Sequence, residues 1–276
     1  MDIFGIQAKF GDTFFFMLGA LLLFLVLFLV YLWLSGWGRG PARRRFHLRR
    51  IEAYEATSEG LARAAETGRA VHTSPGTGGV GAEGVTTAST LAGMGVVESM
   101  ARTAAITGAP VQATTNDAVA FALTENALRR GYRRAGWSME SESGAARFLT
   151  HRDALAYVAG ASEIVASHKV SHAVMSGQFG AEVLLLTEAQ RRSGAHQVVG
   201  STVPQGAALV TLTADQALVG EEVFASGAYL ERRTTHIASL LAQDGLRWIV
   251  ILAIIAGFVL VNVFGVSWTQ VFSTTP

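Results

Sequence analysis

The run Ser74-Pro75-Gly76-Thr77-Gly78-Gly79-Val80-Gly81 concentrates more residues with chemical use than any other stretch of the chain. Gly76, Gly78 and Gly81 satisfy the pattern G-x-G-x-x-G, and Gly79, Gly81 and Gly84 satisfy it again. Glycines at that spacing let a pyrophosphate approach the N–H groups at a helix N-terminus, and an acid about 20 residues further on then holds the ribose. Here the acid is out of place, because Glu98 falls inside a predicted helix and Asp117 comes too late. A Walker loop is excluded, since neither Lys-Ser nor Lys-Thr follows the glycines.

Three other segments share this small, polar character: Thr114-Thr115-Asn116-Asp117, Ser176-Gly177-Gln178-Phe179-Gly180 and Ser201-Thr202-Val203-Pro204-Gln205-Gly206. If each follows a strand of one sheet, the hydroxyls of Ser74, Thr115, Ser176 and Ser201 converge on one crevice. The candidate ligand-binding set is then Ser74, Gly76, Gly78, Gly79, Gly81, Asn116, Asp117, Ser176, Gly177 and Ser201. A nucleotide or another phosphate-containing small molecule suits it, and no particular cofactor is indicated. The same residue types are also what any strand-to-helix turn uses, so a flexible loop or a subunit contact accounts for them as well.

Other chemistries find less support. His168 and His172 stand four apart, the spacing of two imidazoles on one helix face, yet the chain from Val170 onward reads as a strand. His72 and His172 meet only if their strands are neighbours, and no acid completes a ligand set, so no metal site is assigned. No G-x-S-x-G elbow exists, because Ser176-Gly177 lacks the preceding glycine. Glu221-Glu222 and Glu140 with Glu142 read as solvated surface, and Asp117 with Glu125 need not face a cleft. The chain therefore leans away from an enzyme. With no cysteine, thiolate catalysis, disulfides and Cys-ligated metal are excluded, in keeping with a reducing compartment.

These loops need a scaffold, and from residue 69 onward β-prone runs alternate with Ala-rich helical stretches, the mark of βαβ units. Strands are predicted at 69–74, 110–115, 170–176, 196–202 and 208–213, with a short edge strand at 146–149. Helices are predicted at 85–107, 117–135, 152–167, 179–193 and 215–231. Asn116 is a start signal for one helix, Thr213 with Gln216 has capping-box spacing, and Gly108, Gly136 and Gly194 are stop signals. The predicted fold is α/β and Rossmann-like, a mainly parallel sheet flanked by helices. Before it, residues 43–67 read as a helix ended by Gly68, with Glu59 and Arg63 placed to pair.

Two long uncharged apolar segments, at 14–34 and 248–266, bracket this domain. Each approaches the ~20 residues a helix needs to cross hydrocarbon. Arg43, Arg44, Arg45, Arg49 and Arg50 follow the first, and Arg232, Arg233 and Arg247 precede the second, whereas the outer flanks carry almost no positive charge. The positive-inside rule then predicts both termini outside and the domain cytoplasmic, with Trp33, Trp37, Trp248 and Trp268 at the interfaces. A cleaved signal peptide is the rival reading of the first segment, but the apolar run is too long and the arginines follow it.

The predicted organisation is 1–13 outside, 14–36 membrane helix, 37–68 basic juxtamembrane helix, 69–245 α/β domain, 246–267 membrane helix and 268–276 outside. The lipid bilayer is the first partner. A net charge of +1, with its basic residues gathered at the membrane, gives no case for nucleic acid. The absence of acid or base within either span argues against a transporter or charged pore. Small residues around Ala92-Gly93-Met94-Gly95 would let another backbone come close, which suits a homo-oligomer or tight packing within the domain.

The basic-flanked first span, the His-Thr-Ser-Pro-Gly run at His72 to Gly76, the Thr-Thr-Asn-Asp run at Thr114 to Asp117 and the terminal second span together resemble a family of bacterial membrane proteins classed as a domain of unknown function. The resemblance covers nearly the full length and implies a standalone two-span protein. It brings no activity, cofactor or catalytic residue. The expected function is a nonenzymatic, self-associating scaffold or binding protein. The alternative is a membrane-tethered sensor that takes a nucleotide or other phosphorylated ligand at the glycine-rich loop.

Overall fold

The computed structural model describes residues 3–34, 48–81, 86–137, 144–232 and 234–264. In chain order the elements are α1 (Ile3–Leu32), α2 (Glu52–Thr67), β1 (Val71–Gly76), α3 (Thr86–Thr107), β2 (Val111–Thr115), α4 (Ala118–Arg134), β3 (Ala146–Phe148), α5 (Ala154–Ser167), β4 (His172–Gln178), α6 (Val183–Arg192), β5 (His196–Ser201), α7 (Pro204–Thr213), β6 (Gln216–Val219), a 3-10 turn (Gly220–Ala225), α8 (Ser226–Tyr229) and α9 (Thr234–Phe264). They fall into two compact units, Met1–His47 with Arg233–Pro276, and Leu48–Arg232.

In the first unit α1 and α9 pack side by side, with Gly245 set against the Tyr31 ring. The stretch Thr234–Val259 is long and apolar enough to cross a membrane, with mean hydropathy 1.6 and 6% of its most apolar window buried within the protein. Met17–Leu32 in α1 is apolar but shorter among the described residues. Both helices extend beyond their apolar segments: α1 begins at Ile3, and α9 begins at Thr234, twelve residues before the predicted span start at 246. No proline interrupts either one, so the helix continues through polar neighbours. Trp248 is exposed on α9 and Trp33 lies just past α1, while Trp37, Arg43, Arg44, Arg45 and Trp268 lie outside the described residues.

The second unit is built on a parallel sheet, six strands among the described residues, in the order β3-β2-β1-β4-β5-β6. Chain order reverses between β1 and β4, the switch point where open α/β sheets bind ligands. Both faces are covered, so β1 and β4 are buried almost throughout instead of alternating. One face packs on α5, α6 and α7 through Tyr157, Met175, Phe179, Leu186, Val199 and Val210. The other packs on α2, α3 and α4, where Val97, Met100 and Leu128 are buried.

Local signals hold at most boundaries. Gly68 ends α2 in the left-handed region at φ 63°, a conformation glycine adopts without steric cost, and its N–H bonds Ala65 O. The N-cap of α4 is Asp117, one residue after Asn116, and its carboxylate accepts from the Ala120 N–H. Arg43 to His47 lie outside the described residues; residues 48–51 are described and not helical, so the helix predicted from 43 begins at Glu52, after an extended Ile51. Glu59 and Arg63 form no ion pair there.

Two predicted elements are exchanged. Residues 208–213 belong to a helix, α7, and the predicted helix at 215–231 is instead β6, a 3-10 turn and the short α8. A short run such as Ala-Ala-Leu-Val fits either period, and Pro204 at the first helical positions preorganises the helix. The predicted capping box at Thr213 does not form, because Ala214 is extended and leads into β6.

Candidate functional site

At the switch point β1 and β4 stay paired to their ends. Ser74 lies opposite Met175 and Gly76 opposite Gln178, so β4 carries one extra residue, Gly177. A Cβ on Gly177 would overlap the Pro75 carbonyl oxygen. Gly76, at φ 105°, adopts a conformation that disfavours other residues, and a Cβ there would lie 2.6 Å from the Gln178 backbone nitrogen. Gly93 of α3 seats that helix directly on Pro75 and the Ser176 carbonyl, where a Cβ would also overlap. The strand ends and the helix above them are thus in backbone-to-backbone contact.

The loop after β1 lies between two others. On one side Thr77 N–H donates to Gln178 O at 2.8 Å, and Thr77 Oγ1 donates to Glu182 Oε1 at 2.6 Å. Glu182 Oε1 also accepts from the Gly180 N–H at 2.8 Å. On the other side Asn116 Nδ2 donates to Thr77 O at 3.3 Å, and Asp117 Oδ2 stands 3.2 Å from where a Cβ on Gly79 would be. Arg152, from the turn before α5, approaches the same carboxylate at 3.6 Å. Gly78 and Gly79 are buried by these neighbours, and Gly81 is exposed. The N–H groups of Gly76 and Gly81 donate to Ser74 Oγ and Thr87 Oγ1.

Asp117 therefore does occupy the end of β2, the position of the ribose-binding acid in dinucleotide folds. Counting residues misplaced it because α3 is 22 residues long. Two features weigh against a pyrophosphate. Asp117 and Glu182 put carboxylates on either side of the loop, and Thr77 and Gly81 have already spent their amides inside the protein. What the edge offers a ligand is mainly hydrogen-bond acceptance.

The four hydroxyls do not converge. In register, Ser74 pairs with Met175, so Ser176 points to the opposite face of the sheet. Ser74 Oγ meets the Tyr157 hydroxyl at 2.7 Å, whereas Ser176 Oγ is buried on the α3 side without a hydrogen-bond partner. Ser201 Oγ donates to Phe179 O at 2.8 Å and closes its own turn, and Thr115 Oγ1 reaches the Arg147 carbonyl at 3.4 Å. Glu182, Arg152 and Tyr157 were not legible as site residues, for they lie outside any motif, and Gln178, though within the Ser176 to Gly180 segment, is brought to the loop after β1 by strand pairing.

The same alternation separates the histidines. His72 faces α6 and bonds Thr114 Oγ1 through Nε2 at 2.9 Å, while His172 faces α2 under Gly60. Among the described residues no group of three His, Asp or Glu side chains gathers to hold a metal. Burial pushes His72 down to about 4 and raises Tyr157, and both are sealed from solvent. They are neutral links in a buried hydrogen-bond chain.

Fold and site together define a parallel α/β protein with the dinucleotide-fold strand order, whose ligand edge is closed by its own carboxylates and glutamine. The chain belongs to the family described as a domain of unknown function, DUF6754, whose profile matches residues 12–272. No curated protein matches it, and no solved structure does.

Proposed function

We propose that this protein is a nonenzymatic, self-associating scaffold or binding protein, held in a lipid bilayer of the cell membrane by two spans, with both termini outside and the α/β domain cytoplasmic. The observation that carries the scaffold reading is the closed edge at the switch point, where Gln178, Glu182 and Asp117 take the places a ligand would fill. Close backbone approach accounts for Gly76 and Gly177 in these loops and for Gly93 of α3 above them.

Exposed apolar residues in the first turns of α4, α5 and α6, namely Val119, Leu155, Leu184 and Leu185, rim the same edge and supply a surface for a second copy. Confinement to a membrane raises effective concentration, so a weak contact there suffices. The experiment is cross-linking and mass determination of the full chain in lipid nanodiscs and in its native membrane. Oligomers that Leu155→Glu and Leu185→Glu abolish support the scaffold, and a monomer at all concentrations sinks it.

One observation favours the sensor as a second reading. Asp117 lies beside Gly79 at the end of β2, and the buried Asn116 Oδ1 has no partner. Two carboxylates suit the hydroxyls of a nucleoside or sugar better than its phosphates, so the ligand of this reading is recognised through its diol. Saturable stabilisation by a nucleoside, lost in Asp117→Asn but retained in Leu155→Glu, would replace the scaffold with the sensor.

A further inference from the structure

A second cavity, of about 170 Å³, opens at the amino ends of β4 and β5, at the opposite edge of the sheet from the glycine loop. Arg63 and Thr67 of α2, Arg69, Ser171, His172 and His196 line it. His172 is 1% exposed, and neither ring nitrogen has a partner in good hydrogen-bond geometry, although the His196 backbone lies near enough to favour the protonated ring; Ser171 Oγ is likewise buried and unpartnered. The imidazole is held in place on both sides. Gly60 lies flat against it, since a Cβ there would overlap the ring, and His196 stacks on it with centroids 5.5 Å apart.

Among the groups lining this cavity, the Arg63 guanidinium is a donor without an acceptor among the described residues. A neutral imidazole has one N–H and one lone pair, and a guanidinium has only donors. Arg69 is committed to the wall through the carbonyls of Lys169, Val170 and Ser193 at 2.9, 3.0 and 3.3 Å. Arg63 is exposed and has no ion-pair partner among the described residues, although Glu59 is four positions away. Around His172 the nearby titratable groups are Arg63, His196 and Asp215, and Asp215 already accepts the Gln197 N–H at 2.8 Å. Burial, then His196 and Arg63, hold His172 down to about 4. A cation is disfavoured by the two guanidiniums, and no third His, Asp or Glu joins the imidazoles among the described residues.

We propose that this cavity is a binding site for a small oxyanion of the phosphate class, bound by Arg63, Ser171 Oγ and the His172 imidazole. The anion supplies the missing acceptor, and Arg63 closes over it from α2. The site is independent of the switch-point edge, so its fate leaves the scaffold reading untouched.

The test uses the full chain in nanodiscs. Inorganic phosphate and glycerol 3-phosphate are titrated separately at constant ionic strength, with thermal unfolding and the imidazole NMR signals of His172 as readouts. Saturable stabilisation is expected, with the His172 signals shifting along the same curve. Arg63→Gln should weaken binding about tenfold, the worth of one charge-assisted hydrogen bond, and Arg63→Lys should recover part of it. Binding of either probe with this dependence supports the proposal, and their ratio tells a free anion from a phosphate monoester. Phosphate also stabilises proteins in general by exclusion from their surface. A non-saturating rise of equal size in wild type and Arg63→Gln, or no shift at His172, overturns it.

Discussion

The Tyr157 hydroxyl of α5 stands 2.7 Å from Ser74 Oγ and 2.8 Å from Thr114 Oγ1, bridging β1 and β2 beneath the glycine-rich loop. The chain continues on both sides. Thr114 Oγ1 meets His72 Nε2 at 2.9 Å, His72 Nδ1 meets Gln190 Nε2 at 3.3 Å, and Ser74 Oγ accepts from the Gly76 N–H at 3.2 Å. With the Gln190 amide nitrogen toward Nδ1, His72 carries its proton on Nε2 and donates to Thr114. Thr114 then donates to Tyr157, and Tyr157 to Ser74. Turning the amide so that the otherwise unpartnered Oε1 accepts from Nδ1 reverses every link, and either way the chain ties α6 to the loop through the interior of the sheet.

Tyr157→Phe should leave two buried hydroxyls short of a partner and cost about 1–3 kcal/mol. Denaturant unfolding of the full chain with an unchanged m-value is the measurement. A loss within error of zero would mean that the hydroxyl is not bonded in solution.

Acid should destabilise the fold through its buried histidines. His72 and His172 are depressed to about 4 from 6.5, so the unfolded chain binds more protons between those values. Their stabilising contribution is complete above about pH 6.5 and falls as pH drops toward 4, by roughly 1.4 kcal/mol per pH unit for each. Melting temperatures across that window check the slope, which His72→Gln should reduce.

Substituting glycines should separate packing from backbone conformation. Gly93→Ala drives a methyl into Pro75 and the Ser176 carbonyl, a backbone clash that should cost about 1–3 kcal/mol or more. Gly81→Ala meets open space and pays mainly for φ +80°, about 1–2 kcal/mol. If Gly81→Ala impaired stability more than Gly93→Ala, close packing would not be the reason for glycine at the switch point.

The absence of cysteine makes topology directly measurable. Single cysteines at Thr274 and at exposed Ala62 should react differently in intact cells with a membrane-impermeant maleimide: Thr274→Cys labels, and Ala62→Cys labels only after lysis. The reverse pattern would invert the orientation, and equal labelling of both would remove the two-span arrangement.

Much of the architecture was legible locally. The alternation of β-prone and Ala-rich segments yields the parallel α/β fold, and Gly68, Gly108, Gly136 and Gly194 all adopt positive φ where stops were expected. Two apolar segments are visible in composition alone, although only Thr234–Val259 meets the length of a span among the described residues. Less legible was the exchange of helix and strand around Thr213. Four to six apolar residues carry no decisive period, and β6 is a strand because β5 pairs with it.

By itself the sequence determined which segments are helix or strand outside residues 208–231, where most of them stop, and which stretches are apolar, since these depend on residues a few positions apart. Only the tertiary structure decided that Ser74 and Ser176 face opposite sides, that Asp117 reaches Gly79 despite its spacing, and that Arg63 lines one cavity with His172 instead of pairing with Glu59. Each of these rests on register between strands or on a helix laid across them, and a shift of one residue would send every side chain of a strand to the other face.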